Sequence, residues 1–452
     1  MTGAAKMTGA AKNGSNGKGA APPRGKNGQV LQRPSRLPSP SVVVSRFGPI
    51  VGKRRAKEIL PILSQAYSAY MSLKRSATAI RGRGANIFMQ WVADPDALGS
   101  AVVLKAILED LGATQVRLLA GSLGHPQNRK LVERCGLLLE DPNADRLPRG
   151  LHCMVDTSPP LGMSSTGGVR PVEEYFFVAD HHADPAEVEE NCRTHGVKRV
   201  KHAYVGLPVG STSSFMAVIA AAFDDVLETI GPAGRAATAL GIYTDTSALL
   251  HGATPLDFKM FELLTRDEAT QDILDELRDY RVPAEWFAYR GAAFRNQEVT
   301  GGVRITPIGY VREEHRDVIA EIASELLRID GTSIAISVAV TERGTEVSVR
   351  ADSRLLGDDP TRIVKVVDYL LEHAFPGVSG FKYERKPPHR VEGGACVAAK
   401  EEELRAWRLG SLPPPSMEGD PVLQHCRDCS RAILLALRHL GRDHPEAVQG
   451  LL

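Results

Sequence analysis

Short apolar runs that end in a carboxylate and lead into a helical pattern recur through the first half of this chain. The runs with their carboxylates are residues 87–92 with Asp94 and Asp96, residues 152–155 with Asp156, and residues 175–179 with Asp180. Alternating strands and helices build a parallel sheet, and a parallel sheet brings the residues at the carboxyl ends of its strands to one edge. We therefore expect an α/β fold with an acidic ligand site at that edge.

The side chains near these strand ends are of the types that bind divalent cations. A single Asp after a strand is usually a helix cap or a turn former. Several carboxylates at one edge repel each other unless protons or cations neutralise them, and a mixed set of Asp and His suits Mn²⁺ or Mg²⁺. The candidates in this chain are Asp94, Asp96, Asp156, Asp180, His181, His182 and Asp245.

Four ordered segments resemble the motifs of the DHH phosphoesterases, a family that includes RecJ-like exonucleases, nano-RNA phosphodiesterases and manganese-dependent inorganic pyrophosphatases. The segments are residues 94–100 (Asp-Pro-Asp-Ala-Leu-Gly-Ser), 155–158 (Val-Asp-Thr-Ser), 178–182 (Val-Ala-Asp-His-His) and 241–246 (Gly-Ile-Tyr-Thr-Asp-Thr). One such motif would be a weak signal, whereas four in order are specific. Residues 349–352 and 393–399 resemble two segments of the DHH-associated domain. The resemblance implies a parallel-sheet DHH domain followed by a smaller α+β domain.

The resemblance also implies a site that holds manganese. The metal ligands that it implies are Asp94, Asp96, Asp156, His181 and Asp245. Asp156 would also be catalytic because it bridges two ions, and His182 would act near the scissile phosphate. Two cations about 3.5 to 4 Å apart can clamp a phosphoryl group and activate a bridging water. Mn²⁺ is the expected cofactor, with Mg²⁺ as the alternative, and Asp180 is expected to orient a histidine.

This chain departs from the family pattern at two positions. Gln90 stands where the family usually has a metal-binding histidine. Because an amide oxygen is a poorer Mn²⁺ ligand than an imidazole, we expect one tightly bound ion and a second, weakly bound one. In the later glycine-rich segment, Ala395 stands in the place of the usual histidine.

A second set of residues is expected to contact the substrate. Its members are Arg350, Gly393, Gly394, Asn128, Arg129 and Ser211. A guanidinium binds phosphate bidentately, which makes Arg350 the best candidate for an anion clamp. Residues 124–129 resemble a segment that faces the nucleotide in some family members, although a plain helix start explains them too. Ser211 opens a helix whose N–H groups could bind phosphate, and a simple helix cap is the alternative.

Charge is distributed unevenly along the 452 residues. The whole chain has a formal net charge of +1, but its first 57 residues carry twelve Lys or Arg and no Asp or Glu. The first forty residues are also rich in Gly, Asn, Pro and Ser. A segment of this composition buries too little apolar surface to offset the conformational entropy that it loses on folding. We therefore expect a disordered basic arm, followed by an acidic folded part.

The expected organisation has five parts. They are a disordered basic arm at 1–55, a DHH catalytic domain at 56–265, a helical connector at 266–300, a DHH-associated substrate-binding domain at 301–410 and a tail with one helix at 411–452.

Cys426 and Cys429 in the tail are expected to be ordinary reduced cysteines, with zinc binding as the alternative. Apolar stretches shorter than the ~20 residues that cross a bilayer, and six irregularly spaced cysteines, predict a cytoplasmic protein without a membrane partner.

These features predict a manganese-dependent phosphodiesterase that acts on short oligoribonucleotides or related small nucleotides. Two alternatives within the enzymes are a phosphatase for bisphosphorylated adenosine and a cyclic-dinucleotide phosphodiesterase. An alternative of another class is a catalytically weakened nucleotide-binding regulator, suggested by Gln90 and Ala395 together. The oligomeric state is open, with a homodimer among the alternatives.

Overall fold

The computed structural model shows two domains, each built around a six-stranded sheet. The residues that the structure describes are 30–32, 37–121, 123–142, 149–159, 172–182, 184–352, 354, 360–375, 382–386, 390–398, 419–449 and 451.

The first sheet is entirely parallel, with the strand order β3-β2-β1-β4-β5-β6. Its strands are β1 (Gly84–Phe88), β2 (Gln115–Leu119), β3 (Leu139–Glu140), β4 (Leu151–Val155), β5 (Glu174–Asp180) and β6 (Arg199–Val205). Successive side chains of a strand point to opposite faces, so Ile87 and Phe88 enter different apolar clusters. Because both faces of the sheet are covered, its strands are apolar along most of their length.

Helices surround this sheet. They are α1 (Pro40–Val51), α2 (Lys53–Glu58), α3 (Leu60–Arg75), α4 (Ala77–Ile80), α5 (Pro95–Asp110), α6 (Pro126–Arg134), α7 (Pro185–Thr194), α8 (Thr212–Ala220), α9 (Val226–Thr229), α10 (Gly231–Asp245), α11 (Pro255–Leu264) and α12 (Glu268–Arg278). Helix α8 is buried on every side, and α5 is buried on every side as far as Leu104, which explains why neither shows a continuous polar face in the sequence. Gly99 lets α5 approach α10 closely, because a Cβ there would lie 2.8 Å from the backbone of Ala237.

The expectation that residues 1–55 form an arm outside the fold is wrong for α1. The side chains of Val43 and Phe47 on this helix are fully buried, and Phe47 packs edge-on against Tyr67 of α3 at a centroid distance of 6.5 Å. Burying an aromatic side chain stabilises the fold by about 1.5 to 3 kcal/mol. The first domain therefore includes this helix.

Residues 30–32 also belong to the first domain. Leu31 pairs in parallel with Val200 of β6, and its side chain is 2% exposed. The carboxylate of Glu189 accepts hydrogen bonds from the amides of Val30 at 2.7 Å and Leu31 at 2.8 Å. This segment covers part of an edge strand that would otherwise present unpaired backbone groups. Residues 1–29 lie outside the described residues.

The second domain is a mixed sheet with helices on both faces. Its elements are α13 (Ala284–Asn296), β7 (Glu298–Thr300), β8 (Val303–Tyr310), α14 (Val318–Leu327), β9 (Ile334–Thr341), β10 (Gly344–Asp352), α15 (Pro360–Ala374), β11 (Lys382–Lys386), β12 (Arg390–Ala398), α16 (Pro421–Asp443) and α17 (Pro445–Val448). The strand order is β11-β12-β10-β9-β8-β7. Only the β8–β9 pair is parallel among these neighbours. The fold class expected from the sequence is confirmed.

Two of the predicted boundaries differ from those of the packed domains. Trp286 and Tyr289 of α13 are fully buried against the second sheet, so the predicted connector at 266–300 divides between the domains after α12. Helix α16 buries Ile433 and Leu437 in the other apolar layer of the same sheet. The predicted tail at 411–452 is therefore, in its described part, a structural element of the second domain. The one helix expected in this tail begins at Pro421.

In the parts of the chain that are described, no helix has both the length and the apolar character needed to cross a bilayer.

Candidate metal centre

The carboxyl edge of the parallel sheet brings the four predicted motifs together. Asp94 follows β1 and caps α5, where its carboxylate accepts a hydrogen bond from the amide of Ala97 at 2.9 Å. The helix begins at Pro95, because Asp94 and the proline form a favourable helix start. Asp156 follows β4, and Asp245 is the last residue of α10.

Two overlapping groups of side chains at this edge could each hold a metal ion. In each group the potential ligand atoms all lie within 4.8 Å of one another. The groups are Asp96 with His181 and Asp245, and Asp156 with His181 and His182. His181 belongs to both, which places it at the centre of the cluster.

One imidazole nitrogen of His181 faces three carboxylates. Its Nε2 lies 2.8 Å from Oδ2 of Asp245, 3.7 Å from Oδ1 of Asp156 and 3.9 Å from Oδ2 of Asp96. The other ring nitrogen, Nδ1, lies 3.3 Å from the carbonyl oxygen of Val209. A histidine that donates one N–H to a backbone carbonyl and turns the other nitrogen to carboxylates has the orientation of a metal ligand.

His182 is held by Asp180, as the sequence predicts. Oδ1 of Asp180 accepts a hydrogen bond from the amide of His182 at 3.0 Å and lies 2.9 Å from Nδ1 of the same residue. Ser158 also donates to Asp180. Burial favours the neutral form of Asp180, but the hydrogen bonds from His182 and Ser158 lower its pKa. Asp180 is therefore an anion that orients His182.

The carboxylates of the cluster repel one another. Burial, followed by the charges of Asp245 and Asp96, raises the pKa of Asp94 to about 6. Burial and the charges of Asp96 and Asp94 raise the pKa of Asp156 well above its usual value. Burial alone would lower the pKa of His181, but Asp245, Asp96 and Asp180 raise it to about 10. Such a set is stabilised by a positive ion, so the donors present fit a divalent cation.

Helix α8 begins against two of these carboxylates. The amide of Thr212 donates to Oδ2 of Asp96 at 2.7 Å, and the amide of Ser213 donates to Oδ1 of the same carboxylate at 2.7 Å. The hydroxyl of Thr212 donates to Oδ1 of Asp156 at 3.0 Å. The positive end of this helix therefore binds Asp96 rather than a phosphate.

The prediction that Ser211 contacts the substrate is wrong. Its side chain is fully buried and caps α8, accepting a hydrogen bond from the amide of Ser214 at 3.1 Å. The alternative of a helix cap is the correct one. The sequence indicates the helix-opening loop, but the contact partner of this loop is a carboxylate of the protein.

Asp257 fixes the loop that leads into α8. Its Oδ2 accepts hydrogen bonds from the amide of Gly210 at 2.9 Å and from the amide of Thr254 at 2.7 Å. Gly210 has no room for a side chain, because a Cβ would lie 2.7 Å from Cγ2 of Thr246 and 2.9 Å from Asp257. The fully buried Asp257 thereby connects α11 to the start of α8, although no sequence motif marks this residue.

Gln90 lies at the cluster, where the family pattern has a histidine. Its Nε2 donates to the backbone oxygen of Asp156 at 3.1 Å and to Oδ2 of Asp156 at 3.2 Å. The backbone of Asp156 has a φ of 57°, which is unusual for a residue other than glycine. Gln90 therefore supports a strained residue, and its amide acts as a donor to a carboxylate.

Three of the other predicted substrate contacts have structural roles. Nδ2 of Asn128 donates to the carbonyl oxygen of Ala93 at 2.8 Å. A Cβ on Gly394 would lie 2.6 Å from the backbone oxygen of Val347, so this glycine permits close approach of β12 to β10. Its neighbour Gly393 pairs with Val349 in the same ladder.

Arg350 also differs from its predicted role as an open anion clamp. Its Nε donates to the hydroxyl of Ser324 at 3.1 Å and lies 3.7 Å from Oε2 of Glu392. The side chain is 16% exposed. Arg129, by contrast, lines an open cavity between the two domains.

The cysteines of the predicted tail are free, as are the other four of the chain. Cys426 is buried in the second domain, while Sγ of Cys429 lies 3.6 Å from Nε2 of His425. Within the described residues, the only groupings of potential metal ligands are the two at the sheet edge. That Cys426 and Cys429 are ordinary reduced cysteines stays a prediction.

No family model matches the chain. An uncharacterized protein of Methanocaldococcus jannaschii is 24% identical over 266 residues, which are 58% of this chain and 50% of that protein. This chain thus matches only about half the length of that relative.

Solved structures extend the comparison. The crystal structure of RecJ from Thermus thermophilus with Mg²⁺ has 14% identity and a TM-score of 0.32, covering 90% of this chain and 61% of that one. The crystal structure of an exopolyphosphatase-related protein from Bacteroides fragilis has 13% identity and a TM-score of 0.51, covering 81% of this chain and 98% of that one. The chain therefore shares the overall two-domain α/β fold of the exopolyphosphatase-related protein.

Proposed function

We propose that this protein is a metal-dependent phosphoesterase of the DHH type, and that its substrates are short oligoribonucleotides or related small nucleotides. The observation that carries this proposal is the meeting of His181 with Asp96, Asp156 and Asp245 at the carboxyl edge of a parallel sheet. That edge is where ligands of open α/β sheets bind. The similarity to a protein described as exopolyphosphatase-related supports chemistry at a phosphoryl group.

The side chains divide into ligands and groups that hold them. Asp94, Asp96, Asp156, His181 and Asp245 would hold Mn²⁺ or Mg²⁺, and a bound cation would supply charge stabilisation and an activated water. Asp180 fixes the ring of His182, and this ring would stand beside the phosphate to donate a hydrogen bond or a proton to the leaving oxygen. Thr212 and Gln90 orient Asp156.

The test is a panel of substrates offered to the full chain with Mn²⁺ and, separately, with Mg²⁺. The panel contains 5′-phosphorylated diadenylate, bisphosphorylated adenosine, a cyclic dinucleotide, tripolyphosphate and pyrophosphate. We expect the fastest turnover with diadenylate, and none in EDTA. Preferred hydrolysis of bisphosphorylated adenosine or of the cyclic dinucleotide would instead establish one of the two enzymatic alternatives.

A nucleotide-binding regulator is the second candidate. Gln90 favours it, because its amide donates to Oδ2 of Asp156 and offers no imidazole to a second metal ion. This candidate predicts nucleotide binding without turnover of any member of the panel. Measurable metal-dependent hydrolysis that is abolished in Asp156→Asn excludes it.

A further inference from the structure

Helix α2 gives the first domain a basic surface. Four of its six residues are Lys53, Arg54, Arg55 and Lys57. Ala56 is fully buried and anchors the helix, while Lys53, Arg54 and Lys57 are exposed. The chain from Glu58 onward carries 43 Lys or Arg against 54 Asp or Glu. The charge of α2 is therefore opposite in sign to that of the chain that follows it.

Carboxylates of the protein neutralise little of this charge. Arg54 pairs with Oε1 of Glu58 at 3.2 Å, but the arginine side chain is 95% exposed. Exposed ion pairs are weak, so a phosphate can replace Glu58 at little cost. Lys53 and Lys57 lie one helical turn apart, and neither forms an ion pair with a carboxylate in the described ranges of the chain. Their ammonium groups are therefore accessible to an external anion.

Helix α11 and the residue Arg266 that follows it add two further cations. Nζ of Lys259 lies 2.8 Å from Oε2 of Glu262. The hydrogen bond from Lys259 lowers the pKa of Glu262, and the charges of Arg266 and Arg55 lower it further. Because the charge of Arg55 acts on Glu262, α2 lies beside the C-terminal half of α11.

An aromatic ring is exposed next to these cations. The side chain of Phe258 on α11 is 48% exposed. Phe258 precedes Glu262 by four residues, so the two side chains lie on the same face of the helix. Basic residues beside an exposed aromatic ring fit a single-stranded nucleic acid, because its phosphates bind cations and its bases stack on the ring. We call this set the α2–α11 surface, which comprises Lys53, Arg54, Arg55, Lys57, Phe258, Lys259 and Arg266.

Helix α11 connects the metal edge to this surface. Near its start, Asp257 accepts a hydrogen bond from the amide of Gly210, in the loop that leads into α8. Near its end, Glu262 lies beside α2. The ten residues of α11 span about 15 Å. The residues that line the cavity between the two domains belong to other elements, so the α2–α11 surface is separate from that cavity.

We propose that the α2–α11 surface binds a single-stranded polynucleotide, with phosphates on its basic residues and one base stacked on Phe258. The inference goes beyond the proposed function, because this binding requires neither a metal ion nor hydrolysis. Because α11 leads to the metal edge, a strand bound here would bring one of its ends toward that edge.

Equilibrium binding tests the charged part of this surface. Fluorescence anisotropy of a 5′-labelled oligoadenylate of about 20 nucleotides, in its ribose and deoxyribose forms, is measured with the full chain in EDTA over a range of salt concentrations. The double variant Lys53→Gln/Lys57→Gln should weaken binding about tenfold or more. It should also lower the slope of log K against log salt by about 1.4, the value for two phosphate contacts on a single strand. The matched control is Arg431→Gln/Arg442→Gln, which removes two exposed charges from α16 and should bind within about twofold of the unmodified protein.

The aromatic part is tested with Phe258→Ser. Loss of the stacked base should weaken binding about fivefold or more without changing the salt slope. Phe258→Tyr keeps the ring and should bind within about twofold of the unmodified protein. Phe287→Ser, at an exposed phenylalanine of α13, is the control for removing a surface ring. A duplex of the same length should bind Phe258→Ser and the unmodified protein equally, because its bases are already stacked on one another.

The proposal is overturned if the lysine variant binds oligoadenylate like the control on α16, or if the unmodified protein binds neither form. It is also overturned if Phe258→Ser keeps full affinity and the duplex binds as tightly as the single strand, because the surface then binds polyanions in general. Melting temperatures of all variants check that the fold persists. None of these outcomes depends on hydrolysis of the substrate panel, so this inference and the proposed function can fail separately.

Discussion

The hydroxyl of Thr212 donates to Oδ1 of Asp156 at 3.0 Å, while the amide of the same residue donates to Oδ2 of Asp96 at 2.7 Å. One residue at the start of α8 thereby sets the distance between a carboxylate in the first turn of α5 and one that follows β4. Because both carboxylates are buried, each hydrogen bond acts in a low-dielectric environment and orients its acceptor strongly.

Replacing Thr212 by Val should weaken metal binding and turnover about 10- to 100-fold, the usual cost of removing a group that orients a metal ligand. The amide of residue 212 still reaches Asp96 in this variant, so the loss reports on Asp156 alone. Isothermal titration with Mn²⁺ and steady-state kinetics measure it. The control is Thr238→Val, at an equally buried position whose hydroxyl donates to the carbonyl oxygen of Gly234 at 2.8 Å, and equal losses in both variants would contradict the role of Thr212.

Asp156→Asn should lower turnover at least about a thousandfold, because it removes a negative charge with which the proposed site would hold its cation. Circular dichroism and the melting temperature check that the fold persists. A well-folded Asp156→Asn protein with near-normal kcat would show that the metal centre lies elsewhere.

The unmodified protein should hold about one Mn²⁺ tightly and a second only at high metal concentration, because Gln90 donates to Asp156 and offers no imidazole. Equilibrium dialysis against Mn²⁺ counts the ions. Gln90→His should tighten the second ion, whereas Gln115→His, which adds an imidazole at the exposed start of β2, should not. Two equally tight ions in the unmodified protein would show that Gln90 is no handicap.

Bound metal should stabilise the protein more at about pH 7.5 than at about pH 5.5, because protons compete with the cation for the carboxylates. In the metal-free folded protein, the pKa of Asp94 is about 6, above its ordinary value of 3.8. The contribution of Asp94 to the free energy of unfolding therefore decreases as the pH rises from about 3.8 to about 6. Melting temperatures in EDTA and in Mn²⁺ at both pH values give the comparison. A metal-induced shift that is equal at the two pH values would contradict the assignment of Asp94 as a ligand.

Phe47→Ala should lower the free energy of unfolding by about 3 to 5 kcal/mol, because it leaves a cavity between α1 and α3. Val42→Ala, at a position that is 42% exposed on the same helix, should change it by less than about 0.5 kcal/mol. Chemical denaturation measures both. Equal stability of the two variants would mean that α1 is not part of the folded core.

The sequence predicts the sheet and its acidic edge well, because a strand–helix alternation and the residues at strand ends are local features. Asp96, Asp156, His181 and Asp245 come together as the motifs indicate. The residues that orient these side chains, by contrast, are far from them in the sequence. Thr212 is 56 positions from Asp156 and 116 from Asp96, so its role depends on how α8 packs.

The average composition of residues 1–55 gave a wrong expectation for α1, which lies within this stretch. This region is basic and rich in Gly and Ser, but it contains apolar residues at helical spacing, namely Val43, Phe47 and Val51. Three apolar residues are too few to change the average composition of the region. Arg350 illustrates a second limit. A guanidinium in a phosphate-binding motif looks available in sequence, whereas its pairing with Glu392 follows from the register of β10 against β12.

The contact of Glu189 with Val30 joins residues that lie 159 positions apart. During synthesis at roughly 5 to 20 residues per second, the segment around Leu31 leaves the ribosome about 8 to 32 s before its partner does. The pairing of Leu31 with β6 therefore forms late, after the inner strands of the first sheet have paired. Contacts that form late in folding affect mainly the unfolding rate. This segment therefore slows the opening of the sheet edge more than it accelerates folding.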